Sequence, residues 1–470
     1  MKNFLNRLIG FSIGPILGSV ISFITIPITT YFIVPSEFGK ASMFTVMQSF
    51  ILSFIYMGMD QSYTREYNNI KNKKSVFQNA IILPFLFSFF LFIICLIFKE
   101  QVSILLFSTP EYSTISILFG MMIISSVFER FILLSIRMSE RALEFSLFSV
   151  VIKLSILLLT MLLIYFDQRS FLTVVYATII GQLIGDVFLF IKYKHLMFFS
   201  IKNIDISFVK KMLLFGLPII IASSLSNLLN TSSRFFLRGF SSFHDLGIYT
   251  AALKIAAILQ IVQTAFTSFW VPTAYRWEKE NKDMKHFSFI GDIVLLAMTF
   301  LFYFILFFKK HIILILSSDY SDAQYVAGLL CLSPILYTIS ETTTLGIVFS
   351  GKSYYNIMVS IFSIIPSLLL NYLLIPDFGT IGAGIASGFA YVVFCLSRTY
   401  FSRKCGFKVS FKKQMLCIIL FFVAACINVT SSSYTLYITL VLFFITIATQ
   451  TSTFKSINNI KKFPDKWNFN

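Results

Sequence analysis

Apolar runs of about 20 residues, separated by short clusters of charge, Pro or Asn, recur from one end of this chain to the other. A helix rises about 1.5 Å per residue, so each run is long enough to cross the roughly 30 Å of a bilayer's hydrocarbon. With 57% of its 470 residues hydrophobic and only 13% charged, the chain meets lipid over most of its surface, and a soluble fold is excluded. The expected class is an all-α integral membrane protein.

Reading the runs against their breaks gives about fourteen helices, near 9–33, 39–61, 78–98, 113–136, 143–165, 170–192, 211–236, 245–269, 287–308, 324–348, 354–375, 380–402, 412–429 and 434–452. The net charge of +17 does not form a soluble basic domain that would suit nucleic acid; the Lys and Arg sit in the short connections. With the N-terminus placed inside, 29 of the 38 lie in inner segments and seven in outer ones, while Lys153 and Lys254 fall within spans. That is the positive-inside pattern, and with an even span count it puts both termini in the cytoplasm of a cell whose plasma (inner) membrane the chain crosses many times. The first run, although it starts with positive charge, continues to about Val34 without a small-residue cleavage site, so it reads as a retained span. Six cysteines without CxxC spacing and four scattered histidines offer neither a disulfide framework nor a metal site, and no cofactor is expected.

Two stretches repeat one design. Residues 8–42 run LIGFSIGPILGS…IVPSEFGKAS, and residues 213–252 run LLFGLPIIIASS…GFSSFHDLGIYTAA. Each has an apolar helix with a Gly/Pro step, a short outer loop and a restart at Phe38-Gly39 or Leu246-Gly247. A six-helix unit used twice in parallel orientation follows: an N-terminal lobe over 1–195, a cytoplasmic linker over 196–209, a C-terminal lobe over 210–405, an appended helix pair over 406–454 and a tail over 455–470. With IPDFGTIGAGIASGFAYVV at 375–393, these restarts resemble the polysaccharide-export branch of the MATE-like MOP superfamily, the Wzx-type flippases of lipid-linked oligosaccharides. The likeness covers about residues 8–405. It implies two pseudo-symmetric lobes around a central cavity opened alternately to each side, a lipid-linked oligosaccharide substrate whose tail stays in the bilayer, and polysaccharide polymerase or chain-length proteins as partners.

The polar residues inside the spans are the candidates for function. In a helix turning about 100° per residue, Ser223, Asn227, Asn230, Arg234 and Arg238 fall within roughly 80° of one another. Ser42, Thr45, Ser49, Ser53, Tyr56 and Asp60 share a face of the second helix; Gln260, Thr264 and Thr267 share one of the eighth, with Lys254 about a quarter-turn away. Hydroxyls alone are explained by helix packing. Charge in mid-membrane costs about 2.5–3.5 kcal/mol, which a water-filled cavity removes. The expected substrate-binding set is therefore Arg234, Lys254, Asn227, Asn230, Arg238, Ser49, Tyr56 and Gln260. Guanidinium groups suit phosphate because they donate two N–H bonds at once, so the set fits the pyrophosphate and sugars of an undecaprenyl-linked repeat unit. Asp60 and Glu341 are the candidates for proton or sodium coupling, and Lys153, Glu129, Arg130 and Asp186 remain open to structural roles. A multidrug or cation antiporter on the same fold would put a carboxylate where the cations stand. A membrane-embedded polymerase would need chemistry on outer loops, and these are short; P-loops, nucleophile elbows and paired catalytic carboxylates are absent.

Overall fold

The computed structural model describes residues 2–198, 200, 204–352 and 354–462, and among them it contains helices, turns and bends with no strand. Contacts gather the chain into two compact units, Met1–Thr231 and Ser232–Asn470.

The first unit holds α1 (Lys2–Phe32), α2 (Pro35–Ile55), α3 (Met59–Glu66), α4 (Lys73–Ile97), α5 (Lys99–Phe107), α6 (Ser113–Met138), α7 (Ala142–Tyr165), α8 (Phe171–Met197) and the first part of α9 (Ile206–Phe240). α1 lies along α7, α7 along α8 and α4 along α6. Close approach of α7 and α8 rests on Gly181 and Gly185, one turn apart; a Cβ on them would come within 2.7 Å of Ile156 and 2.3 Å of Ile152. An aromatic core fills the unit, with Phe44 edge-on to Phe119 at 5.2 Å and buried Tyr63 against Phe77 and Phe131.

The sequence predicts one helix over 39–61, but the structure stops α2 at Ile55. Met57 and Gly58 take left-handed φ values of 48° and 66°, and α3 then starts in a new direction. The cause is a close contact with α9: a Cβ on Gly58 would lie 2.4 Å from the Gly216 carbonyl oxygen. Ser62 Oγ donates to the Met212 carbonyl at 2.6 Å in the same contact. This contact draws the first part of α9 into the first unit, so the division between units falls at 231/232, whereas the sequence places the lobe boundary in the 196–209 linker.

The second unit contains α10 (Phe243–Lys279), α11 (Met284–Ile313), a 3-10 turn at Ser318–Tyr320, α12 (Ala323–Thr343), α13 (Leu345–Phe349), α14 (Tyr354–Lys404), α15 (Lys412–Ile427), α16 (Thr435–Ala448) and α17 (Thr451–Lys462). α14 is continuous where a loop is predicted at 375–380, apart from a break at Gly379, whose φ of 49° and ψ of −123° turn the chain. Asp245 at the start of α10 holds the break: its Oδ1 accepts from Thr380 Oγ1 at 3.0 Å. The last helices are fastened to α11. Lys309 Nζ donates to the Asn428 carbonyl at the end of α15 at 2.6 Å, Gln450 Nε2 donates to Thr299 Oγ1 at 2.9 Å, and Lys413 pairs with Asp292 at 2.6 Å.

Ten helices among the described residues are long and apolar enough to cross a bilayer, and the bent pair Thr435–Ala448 with Thr451–Asn459 makes an eleventh. Three of the fourteen expected spans account for the difference. The apolar part of α1 counted here is the short Leu17–Phe32, α15 has 16 residues, and the 51 residues of α14 count once despite the break at Gly379.

Candidate functional site

The polar stripe on α9 is partly open, as is the opposite side of its first part, where Leu214, Leu217 and Ile221 are exposed. Ser223 and Asn230 are exposed and Asn227, Arg234 and Arg238 half-buried, while Leu229, Ser232, Ser233 and Leu237 on other sides are buried. Helical spacing alone dictates this separation of faces. Within the first unit Asn227 Nδ2 donates to the Ser49 carbonyl at 3.2 Å, so two expected site residues on different helices meet. Asn230 Nδ2 turns back to the Ser226 carbonyl at 3.0 Å. Ser49 Oγ bonds its own helix at Val46, leaving its carbonyl as the group that meets α9.

In the second unit the Arg238 guanidinium lies over the Phe243 ring at 4.8 Å. Arg234 follows a chain of hydroxyls in which Ser387 Oγ joins Ser233 Oγ at 2.9 Å and Tyr249 OH at 2.8 Å. Lys254 is exposed on α10, in line with Ile258 and Ile261, and Gln260 is exposed on an adjacent face. The ten candidates thus divide by unit: Ser49, Tyr56, Asp60, Asn227 and Asn230 in the first; Arg234, Arg238, Lys254, Gln260 and Glu341 in the second.

Both coupling candidates are held by arginines. Asp60, 6% exposed, takes Arg130 Nη2 at 2.8 Å and Gln61 Nε2 at 3.1 Å, and the same guanidinium lies over Tyr56 at 5.7 Å. Because α2 ends before it, Tyr56 caps that helix and Asp60 belongs to the next. Glu341 takes Arg398 Nη1 at 2.9 Å, with side-chain exposures of only 6% and 11%. The guanidinium is flanked by the Tyr337 and Phe394 rings at 4.9 and 5.2 Å. Among the described residues no group of three or more His, Cys, Asp and Glu could hold a metal ion.

A family model described as polysaccharide biosynthesis protein matches residues 7–277, more than half of the chain. The chain belongs to the polysaccharide biosynthesis protein family. A stretch of 152 residues is 24% identical to the probable low-salt glycan biosynthesis flippase Agl15 of Haloferax volcanii, and the match spans 32% of this chain and 32% of that relative. The structure resembles the lipid II flippase MurJ in an inward closed conformation, with a TM-score of 0.71 at 14% identity over 94% of this chain and 98% of that one. It also resembles an inward-facing multidrug resistance MATE family transporter of the MOP superfamily, with a TM-score of 0.63 at 16% identity over 85% and 97%. At such identities the likeness is one of fold, shared with both of these membrane proteins.

In this member of the polysaccharide biosynthesis family, one constellation escapes the face-by-face reading of the sequence. Gln182 Nε2 on α8 donates to Ser126 Oγ at 2.7 Å and to Glu129 Oε2 at 3.1 Å on α6; Gln48 of α2 donates to Gln182 Oε1 at 3.3 Å; and Ser125 Oγ donates to Asp186 Oδ2. The signal was the i, i+4 spacing of Ser125 with Glu129 and of Gln182 with Asp186, which places each pair on one face of its helix. It is hidden because no single span shows it.

Proposed function

We propose that the chain is a flippase that carries undecaprenyl-pyrophosphate-linked oligosaccharide repeat units from the cytoplasmic to the outer leaflet of a bacterial plasma membrane, for assembly of surface polysaccharide. The observation that carries this reading is the row of amide and guanidinium groups along one side of α9 in a polysaccharide biosynthesis family member. Passing a pyrophosphate through bare hydrocarbon costs tens of kcal/mol by solvation alone, so the path needs hydrogen-bond donors and positive charge along it. Asn227 and Asn230 suit sugar hydroxyls; Arg234 and Arg238, with Lys254, suit phosphate oxygens. Transport proceeds by alternating access through this cationic path, with the polyprenyl tail left in lipid. On this reading the chain is a carrier rather than an enzyme, and a polymerase that consumes the repeat unit is its partner.

The test is complementation of surface-polysaccharide assembly at matched membrane expression. Arg234→Ala is expected to lower transport about ten- to a hundredfold, the size of one lost charge-assisted bond, with Arg234→Lys restoring only part because it keeps the charge without the fork. Lys254→Ala is expected to lose transport while folding normally. Wild-type transport by Arg234→Gln and Lys254→Ala together would sink the cationic path; export of a cationic drug with no defect in polysaccharide would favour the antiporter.

The topology is testable separately. Reporter fusions after residues 70, 200, 280 and 410 are expected to read cytoplasmic, and fusions near 105, 243, 315 and 378 external. A C-terminus that reads external would overturn the even crossing number.

A further inference from the structure

Glu341 and Arg398 stand 57 positions apart, on α12 and on the arm of α14 that follows Gly379. Glu129 and Asp186, on α6 and α8 of the first unit, stand 57 positions apart as well. The two helix pairs share a register, since Thr343 bonds Thr399 in one as Ser126 bonds Gln182 in the other, both at a separation of 56. In each pair the helices are one span apart and so run the same way, which puts Glu129 level with Asp186 as Glu341 is level with Arg398. The second unit thus answers its glutamate with an arginine, and the first answers its glutamate with an aspartate.

The charges around that acidic pair can be counted. Asp186 is fully buried (0% exposed); its Oδ2 accepts from Ser125, and its Oδ1 is buried with no hydrogen-bond partner. Glu129 is half-buried and within electrostatic reach of Asp186, of Lys153 from α7 and of Arg130 beside it. Arg130 is committed to Asp60 at 2.8 Å, so those two cancel. Tyr56 is the remaining titratable group facing the cluster from α2, and is neutral as a phenol. Lys153, whose stem packs at Gly18 of α1, is one positive charge against two carboxylates. Among the described residues one negative charge is left over inside the membrane, where an uncompensated charge is expelled or neutralised.

We propose that Glu129 and Asp186 share one proton, and that loading and releasing it is the ion-coupling step of the transporter. The unpartnered Asp186 Oδ1 is the buried end of the site and half-buried Glu129 its exchange end. Gln182 and Ser125 supply donors to the carboxylate oxygens that the proton does not occupy, so the pair keeps its place whether loaded or empty. On release, the proton leaves to water at Glu129, and among the described residues Lys153 is the cation left to face the two carboxylates, drawing α7 toward α6 and α8. The role in coupling rests on the transport reading above; the shared proton does not.

The experiment is infrared difference spectroscopy on the full-length protein in lipid nanodiscs, reading the carbonyl stretch of a protonated carboxylic acid as pH is raised, in potassium chloride and in sodium chloride. Wild type is expected to show the band at about neutral pH, well above the range of a free carboxylic acid, and to lose it on alkaline titration. Glu129→Gln and Asp186→Asn are each expected to abolish the band, because Lys153 then balances the acid that remains. Lys153→Met is expected to carry the band to higher pH, and Glu341→Gln to leave it unchanged. If Asp186→Asn does not fold, Glu129→Gln and Lys153→Met decide. Absence of the band in wild type at neutral pH, or its survival in Glu129→Gln, overturns the proposal; its loss in sodium but not potassium chloride overturns it in favour of a sodium site. No glycan enters the measurement, so an intact band with failed polysaccharide complementation rejects the flippase reading alone.

Discussion

Arg398→Ala is expected to remove about 3–5 kcal/mol of folding stability, because it strands the carboxylate of Glu341 in a site where only 6% of that side chain is exposed. The guanidinium also donates to Ser340 Oγ at 2.8 Å and is flanked by two rings, so alanine leaves a hole as well as an unanswered charge. Thermal unfolding of the purified protein in detergent checks this, with Arg65→Ala as comparison, since Arg65 is 54% exposed and lies 4.0 Å from Glu66. The double variant Arg398→Met with Glu341→Leu is expected to recover most of the loss, since it removes both charges together. A wild-type melting temperature for Arg398→Ala would show that water reaches Glu341 and that the pair does not hold α12 to α14.

Gly58→Ala is expected to be the most damaging change of a single methyl group in the first unit. Two costs are separable. A left-handed φ of 66° is worth about 1–2 kcal/mol against alanine, and the new Cβ would lie 2.4 Å from the Gly216 carbonyl oxygen. Gly351 has the same φ of 66° with nothing within 4 Å of its Cβ position, so Gly351→Ala measures the first cost alone. The excess of Gly58→Ala over Gly351→Ala, read as melting temperature and as folded yield, is the contact of α3 with α9. Gly216→Ala, which meets the Met57 carbonyl oxygen at 2.7 Å, is expected to reproduce that excess without any φ cost. Equal losses at Gly58 and Gly351 would mean that α3 moves aside freely.

How much of this was legible in the sequence depends on the range of the interaction. Helix class follows from periods along one chain segment and is found in the structure, and the same period gathers the polar residues of α9 on one side, of which Ser223 and Asn230 are exposed. The end of α2 at Ile55 could not be read that way, because apolar residues continue through Met57 and only the approach of Gly216, far along the chain, explains the turn at Gly58. The continuity of α14 past Pro376 went unread for a related reason: a proline marks a break, but a helix can carry one where neighbours hold it, and the chain turns three residues later at Gly379. Asp60 and Glu341 stood out as acids in apolar surroundings, but whether an acid is free or already answered depends on a partner helix. Arg130 is 70 positions from Asp60 and Arg398 is 57 from Glu341. Glu129 and Asp186 stay open on the sequence for the same reason: nothing local says which charges from other helices stand beside them.

The bonds from α11 to the last helices bear on how such a chain can change in length. Lys309, Thr299 and Asp292 all project from α11, and each is met by a group from beyond Gly406. Cutting the gene short after that glycine would take its partner from the Lys309 ammonium and from the Asp292 carboxylate, while the Thr299 hydroxyl keeps its bond to the Leu295 carbonyl at 2.7 Å. A shorter descendant made by a single stop codon would therefore leave a cation and an acid at the two ends of α11 to find water or new partners. Neutral residues at positions 292 and 309, gained while the C-terminal helices are still in place, would make that truncation milder.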